Sequence, residues 1–398
     1  LAKTIQTQQI KMRLLYITSK PAYPALDGGC VAIQRFLGAL LRGNHEITHL
    51  TFETHKHPFN QDKWPEEIKK SIDLQSVLID TKIKPLCLFT KTISGVSYHL
   101  SRFRTAELNQ KIKELIQSKS FDAIILDGLY SAACLDQIRL NSSSKVYIRT
   151  HNVEHEIWKA LAQNSKPSGK SFLIRILAQA LQKDEIKLLN SVDGIFSISP
   201  EDSKKFVQLG IKTPIVEIPV SIDQDENSTK TIHNHFFFIG GMDWAPNKEV
   251  AELLISVIFP RIKSKIPEAL LTIAGSGTDQ LIEGEGISCL GFVPDSMEFM
   301  RNSGTLLLPL QSGSGVRIKL LEAMSIGAPI VTTNMGKEGI ACLDCMSVAD
   351  SIDDFITEAI ALNGNEELKE KYSKNSRLFI KKNYSPKQIA NDLNESLR

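Results

Sequence analysis

The 398-residue chain has no apolar run approaching the ~20 residues that a helix needs to span a bilayer. Its first segment, Leu1 to Lys11, is polar and lacks the apolar centre of a signal peptide; it reads as an extension ahead of Met12, where the first strand pattern begins. Neither sign of charge is in excess. With 47 basic and 45 acidic residues the net charge is +2, so bulk charge points to no polyanionic partner and no nucleic-acid binding is expected. Cysteine is sparse: Cys30, Cys87, Cys134, Cys289, Cys342 and Cys345 are scattered through mostly apolar surroundings. They read as free thiols of a reducing compartment, which favours the cytoplasm. No short internal repeat is visible, which argues against a solenoid.

What is present is the composition of an ordinary globular protein, 42% hydrophobic and 23% charged. At roughly 100–200 residues per domain, the length suits two or three domains. Short β-rich apolar runs alternate with helical patterns, the order that gives parallel sheets covered by helices on both faces. Strands are expected at Leu14–Thr18, Ile47–Phe52, Ala123–Leu126, Val146–Thr150, Gly194–Ile198, Phe236–Ile239, Leu270–Ala274, Ile287–Leu290, Thr305–Leu308 and Ile330–Thr333. The clearest helical patterns between them are Val31–Leu41, Thr105–Gln117, Phe172–Leu189, Ser203–Leu209, Glu249–Ile258, Ser296–Arg301, Lys319–Ile326 and Ile352–Leu362. The expected architecture is α/β, with two doubly wound, Rossmann-like domains facing each other across a cleft. The polar, aperiodic stretch 223–234 reads as the linker between a first domain at 12–222 and a second at 235–380, followed by a terminal segment at 381–398.

In open α/β sheets ligands bind beyond the carboxyl ends of the strands, so the loops after strands carry the chemistry. The first such loop ends in Asp27-Gly28-Gly29 and opens a helix, where backbone N–H groups can approach an anion; a flexible turn before a helix explains it equally well. The second places His151 at a strand's carboxyl end, with Asn152 as a candidate cap for the next helix. His151, Glu154 and His155 also match the inverted zinc-protease spacing, but His151 reads as the end of a strand, so the two rings need not converge and no metal site is expected. In the third, Gly240 and Gly241 end a strand, Asn247 is a candidate cap, and the amides around Gly241 with the Lys248 cation are candidates for phosphate; a packed Trp244–Pro246 turn is the plain alternative. Gly275-Ser276-Gly277 is only a fragment of a dinucleotide fingerprint.

The fifth loop is the most informative. Gly313, Ser314, Gly315 and Val316 lead into a helix that ends at Gly327, before Pro329 and a β-branched strand. Loop amides and a helix N-terminus form an anion cradle, and Arg317 and Lys319 add the positive charge that a diphosphate requires. Glu322 lies about a turn and a half further on. Among Leu320, Leu321, Ala323 and Met324 its carboxylate suggests a partner, and it can accept both hydroxyls of a cis-diol such as ribose.

Other signals are weaker. Gly169-Lys170-Ser171 mimics the end of a P-loop without the earlier glycine, Cys342 and Cys345 are a single CxxC pair with no second pair for zinc, and Asp223-Gln224-Asp225 has DxD spacing but lies in the linker. The segment Lys166–Lys183 mixes Lys and Arg with apolar residues, which suits a core-facing amphipathic helix and also allows peripheral membrane association.

The string GSGVRIKLLEAMSIGAPIVTT resembles the donor-binding motif of GT-B glycosyltransferases, particularly glycosyltransferase family 4. The resemblance extends through the Gly-Gly loop, RTHNVEHE at 149–156, SPED at 199–202, GGMDWAPN and GFVPD at 291–295, and so covers nearly all of the chain from Met12 onward. It implies a second domain that binds a UDP- or GDP-linked sugar, a first domain that binds a glycan or lipid-linked acceptor, and a terminal helix that returns to the first domain. It implies retaining transfer without a catalytic metal or other cofactor, in polysaccharide or glycoconjugate synthesis, in the cytoplasm or at the inner face of its membrane. By the same resemblance Glu322 is the ribose-gripping second glutamate of an E-x7-E motif, His151 the histidine near the donor sugar, and Gly29 part of the loop at the donor phosphates. The first glutamate of that motif is Ser314 here, and of the family's usual Arg and Lys pair after the first strand of the second domain only Lys248 remains; Arg317 and Lys319 are the candidate replacements. A sugar-nucleotide epimerase of the same build, or a degenerate binding protein, is the alternative. A phosphorylase lacks an identifiable cofactor lysine, and a dehydrogenase lacks the full fingerprint.

Overall fold

The computed structural model describes residues 11–82, 84–164, 168–224, 232–313 and 315–398. The chain divides into two compact units, one running to Ser221 and taking back Lys387–Arg398, the other Ile222–Pro386.

In the first unit the strands are β1 Arg13–Thr18, β2 Glu46–Glu53, β3 Ile72–Leu78, β4 Ala123–Asp127, β5 Lys145–Thr150, β6 Gly194–Ser197 and β7 Ile215–Glu217. They form one parallel sheet in the order β3-β2-β1-β4-β5-β6-β7. Side chains alternate between the faces of a strand, and here each face meets its own core. Leu15 and Ile17 of β1, with Ile124 and Leu126 of β4, belong to one apolar cluster; Leu14 and Tyr16, with Ala123 and Ile125, belong to another. Ile389, Ala390, Leu393 and Leu397 join the second cluster, which explains why the terminal helix Pro386–Ser396 belongs to this unit. His45 and Asn394, 2.7 Å apart, add a polar tie to it.

The second unit contains β8 His235–Ile239, β9 Leu270–Ala274, β10 Ile287–Cys289, β11 Thr305–Leu308, β12 Ile330–Thr332 and β13 Ser347–Val348, in the parallel order β10-β9-β8-β11-β12-β13. Phe236, Phe237, Phe238, Leu306, Leu307 and Ile330 build its core. Both sheets are doubly wound, and the direction of winding reverses beside β1 and β4 in one and beside β8 and β11 in the other. Those are the positions where such sheets bind ligands.

Several expected features differ. β3, β7 and β13 have no counterpart among the expected strands: β3 is half-buried and carries Asp73, Gln75 and Ser76, β7 is mostly exposed, and β13 has two residues. The expected helix Glu249–Ile258 begins earlier, as Ala245–Leu253, and then widens into a π-turn, Leu254–Ile258, before Phe259–Lys263. Pro260 lacks an N–H and its ring collides with a regular preceding turn, which the wider turn relieves. A polar helix, Glu366–Asn383, runs across the boundary expected at residue 380. The reading of six free thiols is corrected: Cys342 and Cys345 form a disulfide in the bends after β12, where a three-residue separation leaves their Cα atoms 5.8 Å apart, within bridging range. Cys30, Cys87, Cys134 and Cys289 are free. No helix among the described residues is long and apolar enough to cross a membrane. Asp225, half of the DxD pair, lies outside the described residues.

Candidate functional site

In the first unit the carboxyl ends of β1, β4 and β5 bring together a buried polar group. Asp127, the last residue of β4, is wholly buried and accepts hydrogen bonds from Tyr16 Oη, Arg149 Nη1 and His151 Nε2. Arg149 Nη1 lies 3.1 and 3.3 Å from the two carboxylate oxygens, and its guanidinium stacks 4.6 Å from the Phe36 ring centroid. Burial opposes ionisation of Asp127, but Arg149 and then His151 outweigh it and hold its pKa well below the usual carboxylate range. Burial lowers the pKa of His151, Asp127 acts the other way, and Arg149 and Lys20 add to the lowering. His151 follows directly on β5, as the sequence suggests.

The loop after β1 carries a second cluster. Asp27 caps the helix Gly28–Arg42 by accepting from the Cys30 amide at 2.9 Å, and also receives Lys20 Nζ at 2.8 Å and His57 Nε2 at 2.9 Å. Burial opposes its charge, yet His57 and Lys20 drive its pKa far below normal. Gly28 and Gly29 therefore open a helix whose N-terminus already holds a carboxylate paired with the Lys20 ammonium and hydrogen-bonded to His57. A Cβ on Gly29 would lie 2.6 Å from Lys20 Nζ, so the ammonium packs against this glycine. Among the described residues, Asp27, Cys30 and His57 are the one group with ligand atoms close enough for a metal ion, and Lys20 occupies both oxygens of its carboxylate.

The zinc-protease spacing does not become a site. His155 Nδ1 pairs with Glu185 Oε2 at 2.7 Å while His151 pairs with Asp127, so the two imidazoles serve different carboxylates on different elements. Glu185 also accepts the amides of Glu154 and His155, and so caps the helix Glu154–Asn164 in the role expected of Asn152. Glu154 is pushed up to about 7, by burial and then by Glu185. Ser171, the last residue of the P-loop mimic, is used in a capping box with Ser168.

In the second unit the loops after β8 and β11 meet. Gly313 and Gly315 adopt φ of +109° and +83°, a backbone open to glycine, and a Cβ on Gly313 would press at 3.2 Å on both Trp244 and Arg317. Arg317 stacks 5.5 Å from the Trp244 centroid and donates to the Gly315 carbonyl. Burial lowers its pKa to about 10, and Glu338 opposes that shift. Ser312 Oγ donates to Glu249 at 2.6 Å. The helix Ile318–Ile326 follows; Glu322 on its buried side is 3% exposed and accepts from Lys319 Nζ at 3.0 Å, while the same ammonium reaches Ser296 Oγ at 2.7 Å.

The structure thus gathers Gly313, Gly315, Val316, Arg317, Lys319 and Glu322 on one loop and helix start, with Gly241 on the neighbouring loop after β8. Ser314 lies outside the described residues. Lys248 stands apart, exposed and paired at 3.8 Å with Glu252. Asn247 does not cap its helix, which starts at Ala245; its amide instead donates to the Gly241 carbonyl and fixes the Gly-Gly turn. Sequence reasoning missed Asp127, Arg149, Tyr16, Lys20 and His57, and read Trp244 only as part of a packed turn. Arg149 lies in RTHNVEHE and Lys20 in the first loop, seven residues before Asp27, whereas Tyr16 and Asp127 are 111 residues apart and His57 and Asp27 are 30 apart.

Residues 233–364 match the family model described as Glycosyl transferases group 1. The chain is 22% identical over 405 residues to an uncharacterized 44.6 kDa protein in the cps region of Klebsiella pneumoniae, covering 95% of this chain and 97% of that protein. Among solved structures, TarM of S. aureus superposes with a TM-score of 0.70 at 12% identity, over 98% of this chain and 100% of TarM. HepE of Anabaena, solved with UDP-glucose, gives 0.64 at 11% identity, over 97% and 99%. The fold is that of the GT-B glycosyltransferases. The residues that match that family model lie in the second unit, which carries the glycine loop and Glu322.

Proposed function

We propose that the protein is a retaining glycosyltransferase of the family 4 type, which moves a sugar from a UDP- or GDP-linked donor to a glycan or lipid-linked acceptor without a metal cofactor. The observation that carries this reading is the buried Glu322 carboxylate, one helical turn beyond a glycine loop in the matched domain. There it receives the ribose hydroxyls while loop amides, the helix N-terminus and nearby Arg317 and Lys319 meet the diphosphate as charge develops on it. The first unit takes the acceptor, with His151 at the transferred sugar. The relative in a cps region supports a role in capsule or other surface polysaccharide, and the solved complexes of HepE with UDP-glucose and of TarM with UDP support a uridine donor. Phe172, 66% exposed on the helix Gly169–Leu189, supports docking at the membrane face where a lipid-linked acceptor is presented.

The test is incubation with a panel of UDP- and GDP-sugars, with and without lipid-linked acceptors. Transfer, or slow release of nucleoside diphosphate, fits the proposal. Isomerised donor identifies an epimerase, and binding without turnover a degenerate relative, the outcome that the serine at position 314 would explain.

A further inference from the structure

A fully buried arginine is an unusual neighbour for a histidine that is to meet a sugar. Arg149 is 0% exposed, and among the described residues only Nη1 reaches a hydrogen-bond acceptor; Nε and Nη2 are buried and find none there. Unsatisfied buried donors each cost stability, so this guanidinium is poorly explained by hydrogen bonding alone. Its charge is better explained. It lies against Asp127, and the same carboxylate takes His151 Nε2 and the Tyr16 hydroxyl.

The protonation pattern follows from the donor and acceptor inventory. Arginine remains charged, an ionised carboxylate only accepts, and the tyrosine keeps its proton because burial, then Asp127, raises its pKa. His151 Nε2 must therefore carry the hydrogen. Arg149 Nη1, 3.3 Å from Nε2, is a second donor aimed at the same oxygen rather than a partner of the ring. Asp127 and Arg149 already sum to zero. A proton on Nδ1 would place a second positive charge beside Arg149, with Lys20, from the loop after β1, adding repulsion of the same sign. His49, on β2 and 4.9 Å from the Tyr16 ring, is held down to about 3 by burial and supplies no compensating charge. Nδ1 makes no hydrogen bond to a described residue, and the imidazole is 15% exposed.

We infer that His151 works as a neutral imidazole whose Nε2–H is fixed by the buried Asp127 carboxylate, presenting Nδ1 as a hydrogen-bond acceptor for a sugar hydroxyl. Asp127 is its positioning residue, and Arg149 is the charge that keeps the ring from becoming an acid. The inference rests on the reading of His151 as the residue at the sugar, and it excludes His151 as the donor of a proton to a leaving group.

Two measurements test it separately. Long-range 1H–15N spectra of the histidine-labelled protein, with His151→Gln to assign the signal, report the tautomer without any substrate. Between about pH 5.5 and about pH 8 the account expects a pyrrole-type Nε2, a pyridine-type Nδ1 and constant shifts. A protonated Nδ1, or an imidazolium titrating in that range, overturns it. The second measurement is donor turnover in Asp127→Asn, His151→Ala and the double variant. Asp127→Asn lowers kcat by roughly tenfold or more with little change in KM, and adds nothing in the His151→Ala background. An equal loss in both backgrounds shows that Asp127 serves the fold alone and removes the positioning claim. If Asp127→Asn does not fold, the wild-type spectra still decide the matter. Turnover near wild type in His151→Ala, with the expected spectra, sinks the functional role of His151 while leaving its tautomer in place.

Discussion

The two units hold their charged groups in opposite ways. In the first, the carboxylate of Asp127 is sealed from water and committed to three donors, one of them a buried arginine. In the second, Lys319 is partly exposed and bridges Glu322 and Ser296, and Lys248 lies at the surface with Glu252. The first arrangement fixes a geometry. The second is open to exchange: on the proposed function, an incoming diphosphate would compete for Lys319 and a ribose for Glu322.

The largest expected effect tests the rigid half. Asp127→Ala leaves Arg149 buried without its counter-ion, and urea unfolding of the first unit should report a loss of about 3–5 kcal/mol. A loss below about 1 kcal/mol would mean that water reaches the site and that the two units hold their charges alike. Next is the exchangeable half. Glu322→Ala should weaken nucleotide-sugar binding by about 1.5–3 kcal/mol, roughly ten- to a hundred-fold, in a calorimetric titration, with little change in the unfolding midpoint.

Smaller effects separate the two lysines. Lys319→Gln should weaken donor binding by roughly five- to tenfold, whereas Lys248→Ala should change it by less than about twofold, because an exposed pair contributes little. A larger loss from Lys248 would restore it as a phosphate ligand and move the cradle to the loop after β8. A further test is a pH slope in the first unit. The pKa of Glu154 is raised from 4.5 to about 7, so the folded state holds a proton that the unfolded chain releases. Its contribution is fully present below about pH 4.5 and is lost as pH rises through about 7. His49, held neutral, gives the opposite trend on acidification, so the test is the difference between wild type and Glu154→Gln. That difference should shrink from pH 4.5 to 7, and a flat difference would place Glu154 in water.

Much of the fold was legible because buried parallel strands are nearly continuous apolar runs, as in Phe236–Ile239 and Ala123–Leu126. Edge strands escaped for the converse reason. β3 alternates with polar residues, and the helix Glu366–Asn383 is so rich in Lys and Glu that its few apolar positions show no clear stripe. In the site, the glycine loop with Glu322 was visible as a contiguous pattern. Asp127 was not, since a lone carboxylate at the end of LD means nothing until Tyr16, 111 residues away, and His151 converge on it. The disulfide departs from the reading of six free thiols, because the bends that bring Cys342 and Cys345 together after β12 leave no mark in composition.

The central claim is that Glu322 grips the ribose of the donor nucleotide. It is tested most directly by titrating UDP and 2′-deoxy-UDP, or the guanosine pair if that is the nucleotide bound, into wild type and Glu322→Ala. The account predicts that wild type binds the deoxy compound roughly tenfold more weakly and that Glu322→Ala binds both alike. The same discrimination in both proteins, or no binding of either nucleotide to wild type, would contradict it.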